Sequence, residues 1–208
     1  MTAGRPAFDL RPVVLQGRHV RLEPIALGHA DALFAAGRDG AIWRWMPLHP
    51  QSVADMRDIV ATRLAAQQRG EGLTWATVHL PSGDVVGSTS FLNVSAPDRR
   101  LEIGFTWIAP RVQRTPLNTE AKYLQLRHAF ETIGCLRVEL KTDARNLISQ
   151  RAIERIGGVR EGVFRKHMYT HTGFQRDSVY YSIIDDEWPA TKARLEALLL
   201  EQHPASTT

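Results

Sequence analysis

Between Leu73 and Ile108 the chain carries three apolar-rich stretches in close succession: Leu73 to Leu80, Val85 to Val94 and Leu101 to Ile108. Pro81-Ser82-Gly83-Asp84 divides the first two, and Asp98-Arg99-Arg100 immediately precedes the third. Proline, serine, glycine and aspartate form turns, so the first two stretches read as a hairpin and the third as a further strand. On either side the apolar spacing turns helical, which makes one mixed sheet with flanking helices, an α/β (α+β) fold, the economical reading. In the third stretch Leu101, Ile103, Phe105 and Trp107 alternate with Glu102, Gly104 and Thr106. One row is expected to face the core and the other a cleft.

The flanks supply the rest. His19 to Pro24 alternates as a strand, and Gly28 to Ala36 reads as a short helix. Ser52 offers a capping oxygen with Asp55 three positions on, and Val53, Met56, Val60 and Leu64 then recur at helical spacing as far as Gly70. Asn118 to Ile133 is helical, with Tyr123, Leu126, Phe130 and Ile133 as its stripe and Gly134 as its stop. Arg137 to Lys141 reads as a strand, Ser149 to Ile156 as a helix, and Val159 to Met168 and Ser178 to Ile184 as strands. Pro189 to Leu200 is a last helix that begins with proline, where the missing N–H does no harm. With 208 residues, no internal repeat and no low-complexity linker, the expected plan is an extension at 1–16, one domain at 17–202 and a tail at 203–208.

A formal charge of +4 and a pI near 9.6 favour anionic partners: a phosphorylated cofactor, an acidic protein or nucleic acid. Nucleic acid is the weakest of these, because the basic clusters alternate with acids such as Glu23 and Glu161 and no aromatic stacking platform accompanies them. Cys135 is the lone cysteine, so no intrachain disulfide can form. The first residues lack the apolar run of a signal peptide and no segment is long enough to span a bilayer, so a cytoplasmic location is expected, with no membrane partner.

The segment LEIGFTWIAPRVQRTPLNTEA at 101–121 resembles the Gcn5-related N-acetyltransferase (GNAT) superfamily, and more narrowly the branch that acetylates ribosomal-protein N-termini. HVRLEPI, DARNLISQRAIERIGGVREGVFRK and RDSVYYSIIDDEW agree with it in order and spacing, so the resemblance runs from about Gly17 to Trp188. It implies a mixed, mostly antiparallel sheet splayed between two strands, with the pantetheine arm of acetyl-CoA entering the gap. It implies also that the pyrophosphate rests on the loop and helix start formed by Gln113, Arg114, Thr115, Leu117, Asn118 and Thr119. The usual Gln/Arg-x-x-Gly-x-Gly/Ala pattern falls on Gln113 to Asn118, keeping the glutamine and losing both small residues. Pro116 cannot donate an N–H, yet Thr115 as cap with Pro116 at the first helical position would leave the amides of Leu117 and Asn118 for an anion, and Arg114 adds charge.

Thioester aminolysis needs a base for the amine, donors for the oxyanion and a proton for the thiolate. The resemblance makes Glu102 the base and the backbone N–H groups near Trp107 and Ile108 the oxyanion donors. It makes Asn146 the partner of the pantetheine amides. Asn146 reads equally well as a turn residue, and Glu102 as a solvated strand carboxylate. The tyrosine that many members use as acid falls here on Ile153, and Ser149 is the substitute, although Ser149 also suits the N-cap of its helix. Tyr180 and Tyr181 are a second proton source. His167 and His171 lie in a strand-to-loop segment unsuited to a shared metal, and no metal is expected. Trp43, Trp45 and Met46 are placed to wall an acceptor site or simply to pack. The amine acceptor stays open between a peptide N-terminus and a small molecule, and dimers common among relatives leave a homodimer open. The rival reading is a non-catalytic coenzyme A-binding or protein-binding module of the same fold, favoured by Pro116 and Ile153.

Overall fold

A computed structural model describes residues 6–201. Its strands are β1 (Leu15–Gln16), β2 (Val20–Pro24), β3 (Leu73–His79), β4 (Asp84–Ser95), β5 (Arg100–Ile108), β6 (Arg137–Asp143), β7 (Val159–Tyr169) and β8 (Gln175–Ile184). They form one sheet in the order β1-β2-β3-β4-β5-β6-β8-β7. Every neighbouring pair is antiparallel except β5 and β6, which run parallel. That connection needs a crossover, and α3 (Pro116–Arg127) provides it, as parallel strands require. The other helices are α1 (Ala30–Ala36), α2 (Val53–Gln68), α4 (Leu147–Arg155) and α5 (Trp188–Glu201).

The local signals explain most of the boundaries. Ser52 caps α2 by accepting from Asp55 N, while the Asp55 carboxylate accepts from Ser52 N and Gln51 N, so three amides at and just before the helix start are satisfied. After α3 a single π-helical turn, His128–Ile133, ends at Gly134, whose φ of 72° is costly for any residue with a Cβ. The first expected helix is shorter than its pattern suggests, a 3-10 turn at Leu27–His29 leading into α1. Residues ahead of β2 are tied in as well: β1 pairs with β2, and Trp75 Nε1 donates to Val13 O at 2.8 Å.

The core lies on both sides of the sheet. Phe91 meets Trp75 edge-on and His128 face-on, whereas Trp107 on the opposite side packs on Trp43 with ring centroids 5.0 Å apart. Glu120 of α3, buried, accepts from three consecutive amides, Arg18 N, His19 N and Val20 N, at 2.7 to 3.0 Å. This clamp fixes the turn between β1 and β2 on α3, with a carboxylate satisfying groups that no strand partner reaches.

The expected alternation in β5 fails halfway. Ser88 is opposite Trp107 and Ser90 opposite Gly104, so Phe105 and Thr106 together face Thr89, and Phe105 takes a φ of 49°. This is a β-bulge, and it reverses side-chain parity. Ile103 lies beside Phe91 on the α3 side, but on the far side of the bulge it is Thr106 that reaches α3, while Phe105 carries the Arg63 guanidinium of α2 over its ring. Leu101, Ile103, Phe105 and Trp107 therefore do not share a face.

Candidate active site

Strands β5 and β6 pair only at Arg100–Arg137, Leu101–Val138 and Glu102–Glu139. Past that rung they diverge, leaving the β6-facing edge of residues 103–108 without a strand partner, so its N–H and C=O groups, apart from the Ile108 carbonyl that Gln113 Nε2 reaches, are open to another chain of atoms. Glu102 stands at the apex of this gap and is 2% exposed. Its Oε2 accepts from Lys141 Nζ and from Asn93 Nδ2, each at 2.7 Å. Oε1 leans over Gly104, where a Cβ would come within 2.6 Å of it. A side chain at 104 would push the carboxylate out of place. Glu102 is thus a buried, charge-paired group with one oxygen uncommitted, and not a solvated strand carboxylate.

Lys141 continues the polar face, its ammonium 5.6 Å from the centre of the Tyr180 ring. Tyr180 Oη lies 3.2 Å from His167 Nε2, His167 Nδ1 lies 3.0 Å from Ser178 Oγ, and Arg176 Nε donates to Ser178 Oγ at 3.1 Å. Phe164 stacks on Tyr180 with centroids 4.2 Å apart. Burial and the cations Lys141 and Arg176 pull the His167 pKa down, so the ring is neutral near pH 7; burial raises the Tyr180 pKa. Tyr181 points the other way, to Glu154 and Gln150 of α4. An open cleft of about 810 Å³ runs along Phe164, Arg165, Lys166, His167 and Asp177.

Behind the bulge, Lys122 of α3 is buried and donates to Thr106 Oγ1 at 2.7 Å, Thr89 Oγ1 at 3.0 Å and Gln125 Oε1 at 3.1 Å. These oxygens are neutral, and burial pulls the ammonium down to about 7. Thr106 and Thr89 are themselves 2.7 Å apart, so the lysine stitches the bulge to β4 and α3.

At the start of α3, Thr115 is the N-cap with Pro116 at the first position, as its local signal indicates. Its Oγ1 donates to Val112 O at 2.7 Å and takes the Leu117 amide at 3.4 Å. The Leu117 N–H is accordingly not unclaimed, a correction to the expectation that both amides lie open. Gln113, Arg114 and Thr115 are exposed, Asn118 half-buried, and Leu117 and Thr119 buried. Arg114 holds a left-handed φ of 61°, a conformation that glycine takes more cheaply. Gln113 Nε2 reaches Ile108 O at 3.3 Å, and Thr119 Oγ1 accepts from Arg155 of α4 at 3.0 Å.

The N-cap of α4 is Asn146, not Ser149: Asn146 Oδ1 accepts from Ser149 N at 3.1 Å, and the helix starts two residues earlier than its pattern suggests. Asparagine caps at least as well as serine, and here its side chain alone spans the distance to the amide. Ser149 is half-buried and its hydroxyl is not used for the cap.

Trp45 and Met46 meet the tip of the β7–β8 hairpin, whereas Trp43 is buried against Trp107 and His49. His171 N donates to Met46 O at 3.1 Å, Arg176 to Trp45 O at 2.7 Å, and the Arg145 guanidinium lies over both Trp45 and Phe174. His171 faces His49 at 5.2 Å and is remote in role from His167. Among the described residues no cluster of metal-ligating side chains occurs, and no helix is long and apolar enough to cross a membrane. Cys135 is buried, its thiol pushed up to about 12, so it is not a nucleophile. Sequence reasoning passed over Lys141, Asn93 and Lys122, whose polar side chains carry no spacing signal of their own.

Residues 19–159 match the Acetyltransferase (GNAT) domain family. The chain is 26% identical over 172 residues to YoaA of Bacillus subtilis, an uncharacterized N-acetyltransferase, covering 82% of this chain and 96% of that one. A GCN5-related N-acetyltransferase from Brucella melitensis superposes with a TM-score of 0.88 at 31% identity, over 99% of this chain and 94% of the other. RimJ of Mycobacterium smegmatis, solved with CoA-disulfide, shares the fold at 23% identity and a TM-score of 0.77, over 89% and 91% of the two chains.

Proposed function

The chain belongs to the GNAT acetyltransferase family, and from that premise we propose that it moves an acetyl group from acetyl-CoA to a primary amine, on a peptide N-terminus or a small molecule, by direct attack. The observation that carries this reading is the gap between β5 and β6, with the buried pair Glu102 and Lys141 at its apex. An extended pantetheine arm has amides that suit the unpaired edge at 103–108, including Trp107 and Ile108. At the outer end, the start of α3 offers helix-dipole charge and the amide of Asn118, flanked by Gln113, Thr119 and the exposed guanidinium of Arg114. Asn146 spends its oxygen on the cap and keeps its Nδ2 for a carbonyl of that arm.

Acetyl-CoA, when bound, supplies an activated thioester carbonyl. Glu102 takes the proton of the attacking amine, its charge held below Lys141 until the amine arrives. The backbone at the end of β5 holds the carbonyl oxygen, and the bulge stitched by Lys122 keeps that backbone in place. Ser149, released from capping, hydrogen-bonds the sulfur from the helix side. Thiol release from acetyl-CoA, followed with an alanyl tripeptide amide and a panel of small primary amines, tests this. Glu102→Gln should lower kcat by roughly 10²- to 10⁴-fold with acetyl-CoA affinity retained. Unchanged turnover across the pH range would remove Glu102 from the mechanism. The rival, a non-catalytic module, rests on Pro116 and on Ile153 at the usual acid position, and it expects no thiol release with any amine.

A further inference from the structure

A hydrogen-bond chain on the open face of the sheet has a direction that can be worked out from its buried members. Arg176 Nε can only donate, and Ser178 Oγ accepts from it. Ser178 is 0% exposed, so no solvent takes its own hydrogen, and among the described residues its one other hydrogen-bond neighbour is His167 Nδ1. A buried hydroxyl hydrogen needs an acceptor, so Ser178 donates to Nδ1. The neutral imidazole must then carry its proton on Nε2, which donates to Tyr180 Oη. With that lone pair occupied, the Tyr180 hydrogen points away from His167 and is left for another acceptor, while Lys141, beside the Tyr180 ring, joins the tyrosine to Glu102 at the apex of the gap.

We propose that Tyr180 is the proton donor to the departing sulfur in the acetyl transfer, with His167 as the positioning residue that aims it and stabilises its phenolate. This rests on the reading of the gap as the acetyl-CoA site. The amine nitrogen forms the new C–N bond and the C–S bond breaks with its electron pair on sulfur. The Tyr180 proton passes to that sulfur to give the free thiol. The proton shed by the amine goes to Glu102, and the Tyr180 phenolate is reprotonated from solvent through the open cleft beside His167. The fit is chemical as well as geometric: the His167 N–H and the Lys141 ammonium both favour a transient phenolate, while burial keeps the phenol protonated beforehand. The charged groups around His167 are Lys141, Glu102, Arg176 and, on the cleft side, Arg165, Lys166 and Asp177.

Two measurements test it. Imidazole ¹⁵N shifts of the full-length protein, with His167 assigned through His167→Gln, should show the Nε2–H tautomer at pH 7.5; the Nδ1–H tautomer would overturn the proposal without any substrate present. In the thiol-release assay, Tyr180→Phe should lose about 100-fold or more in kcat with the KM for acetyl-CoA within roughly threefold of wild type. His167→Gln, whose amide can still donate to Tyr180, should retain far more activity than His167→Leu. Wild-type turnover in Tyr180→Phe overturns the assignment alone. A wild-type protein that releases no thiol with any amine would instead sink the acetyltransferase reading, and this proposal with it.

Discussion

Replacing Lys122 by methionine should change how stability depends on pH. In the folded chain the ammonium titrates at about 7, against 10.5 for an ordinary lysine, because burial strips it of water and only neutral oxygens face it. Between those values the unfolded chain holds a proton that the folded chain lacks. Wild-type stability should therefore rise with pH by ~1.4 kcal/mol per pH unit from this group, and level off above 10.5 and below 7. From pH 7.5 to 9.5 that amounts to roughly 2.5 kcal/mol, or about 5–10 °C in melting temperature for a chain of this size. Methionine fills the same slot without a charge, and the orphaned oxygens keep partners, since Thr89 and Thr106 bond each other and Thr89 bonds Gln125. Subtracting Lys122→Met from wild type in urea melts at several pH values isolates the effect. A difference that stays flat from pH 7.5 to 9.5 would refute the reasoning and mean that the ammonium stays charged in place.

Other expectations follow from the same contacts. Glu120→Gln puts an NH₂ group against three backbone donors and should cost about 2–4 kcal/mol, read in denaturant melts; a loss below ~1 kcal/mol would show the clamp to be incidental. Lys141→Met strands the Glu102 carboxylate in a dry site and should destabilise by about 3–5 kcal/mol, a loss that Lys141→Met with Glu102→Gln partly restores in a double-mutant cycle. Asn146→Ala removes the cap of α4 and should cost about 1 kcal/mol, whereas Ser149→Ala should leave stability within ~0.5 kcal/mol.

The elements that sequence reasoning placed well are those with periodic or turn chemistry behind them: the hairpin around Gly83, the Ser52–Asp55 capping box, the stop at Gly134 and the Thr115-Pro116 helix start. Glu102 was legible as a residue facing away from Ile103, because alternation holds up to the bulge. Beyond it the same rule misled, since nothing in Gly104-Phe105-Thr106 announces that an extra residue will be inserted. Lys122 and Gln125 were overlooked for a related reason. Polar residues on a helix read as its solvated side, but α3 is enclosed by the sheet on one side and α5 on the other, where Tyr123 bonds Glu196 and Phe130 stacks on Trp188. The Tyr180–His167–Ser178 chain links β7 to β8 through a pairing whose register breaks between Phe164 and Met168, so no sequence interval could reveal it.

The central claim is that the gap between β5 and β6 and the start of α3 hold acetyl-CoA despite the loss of small residues at Pro116 and Asn118. Calorimetric titration of the protein with acetyl-CoA, beside Pro116→Ala, tests it most directly. Saturable one-to-one binding in the micromolar range by the wild-type chain is the expected result. No detectable binding by either form would contradict the account.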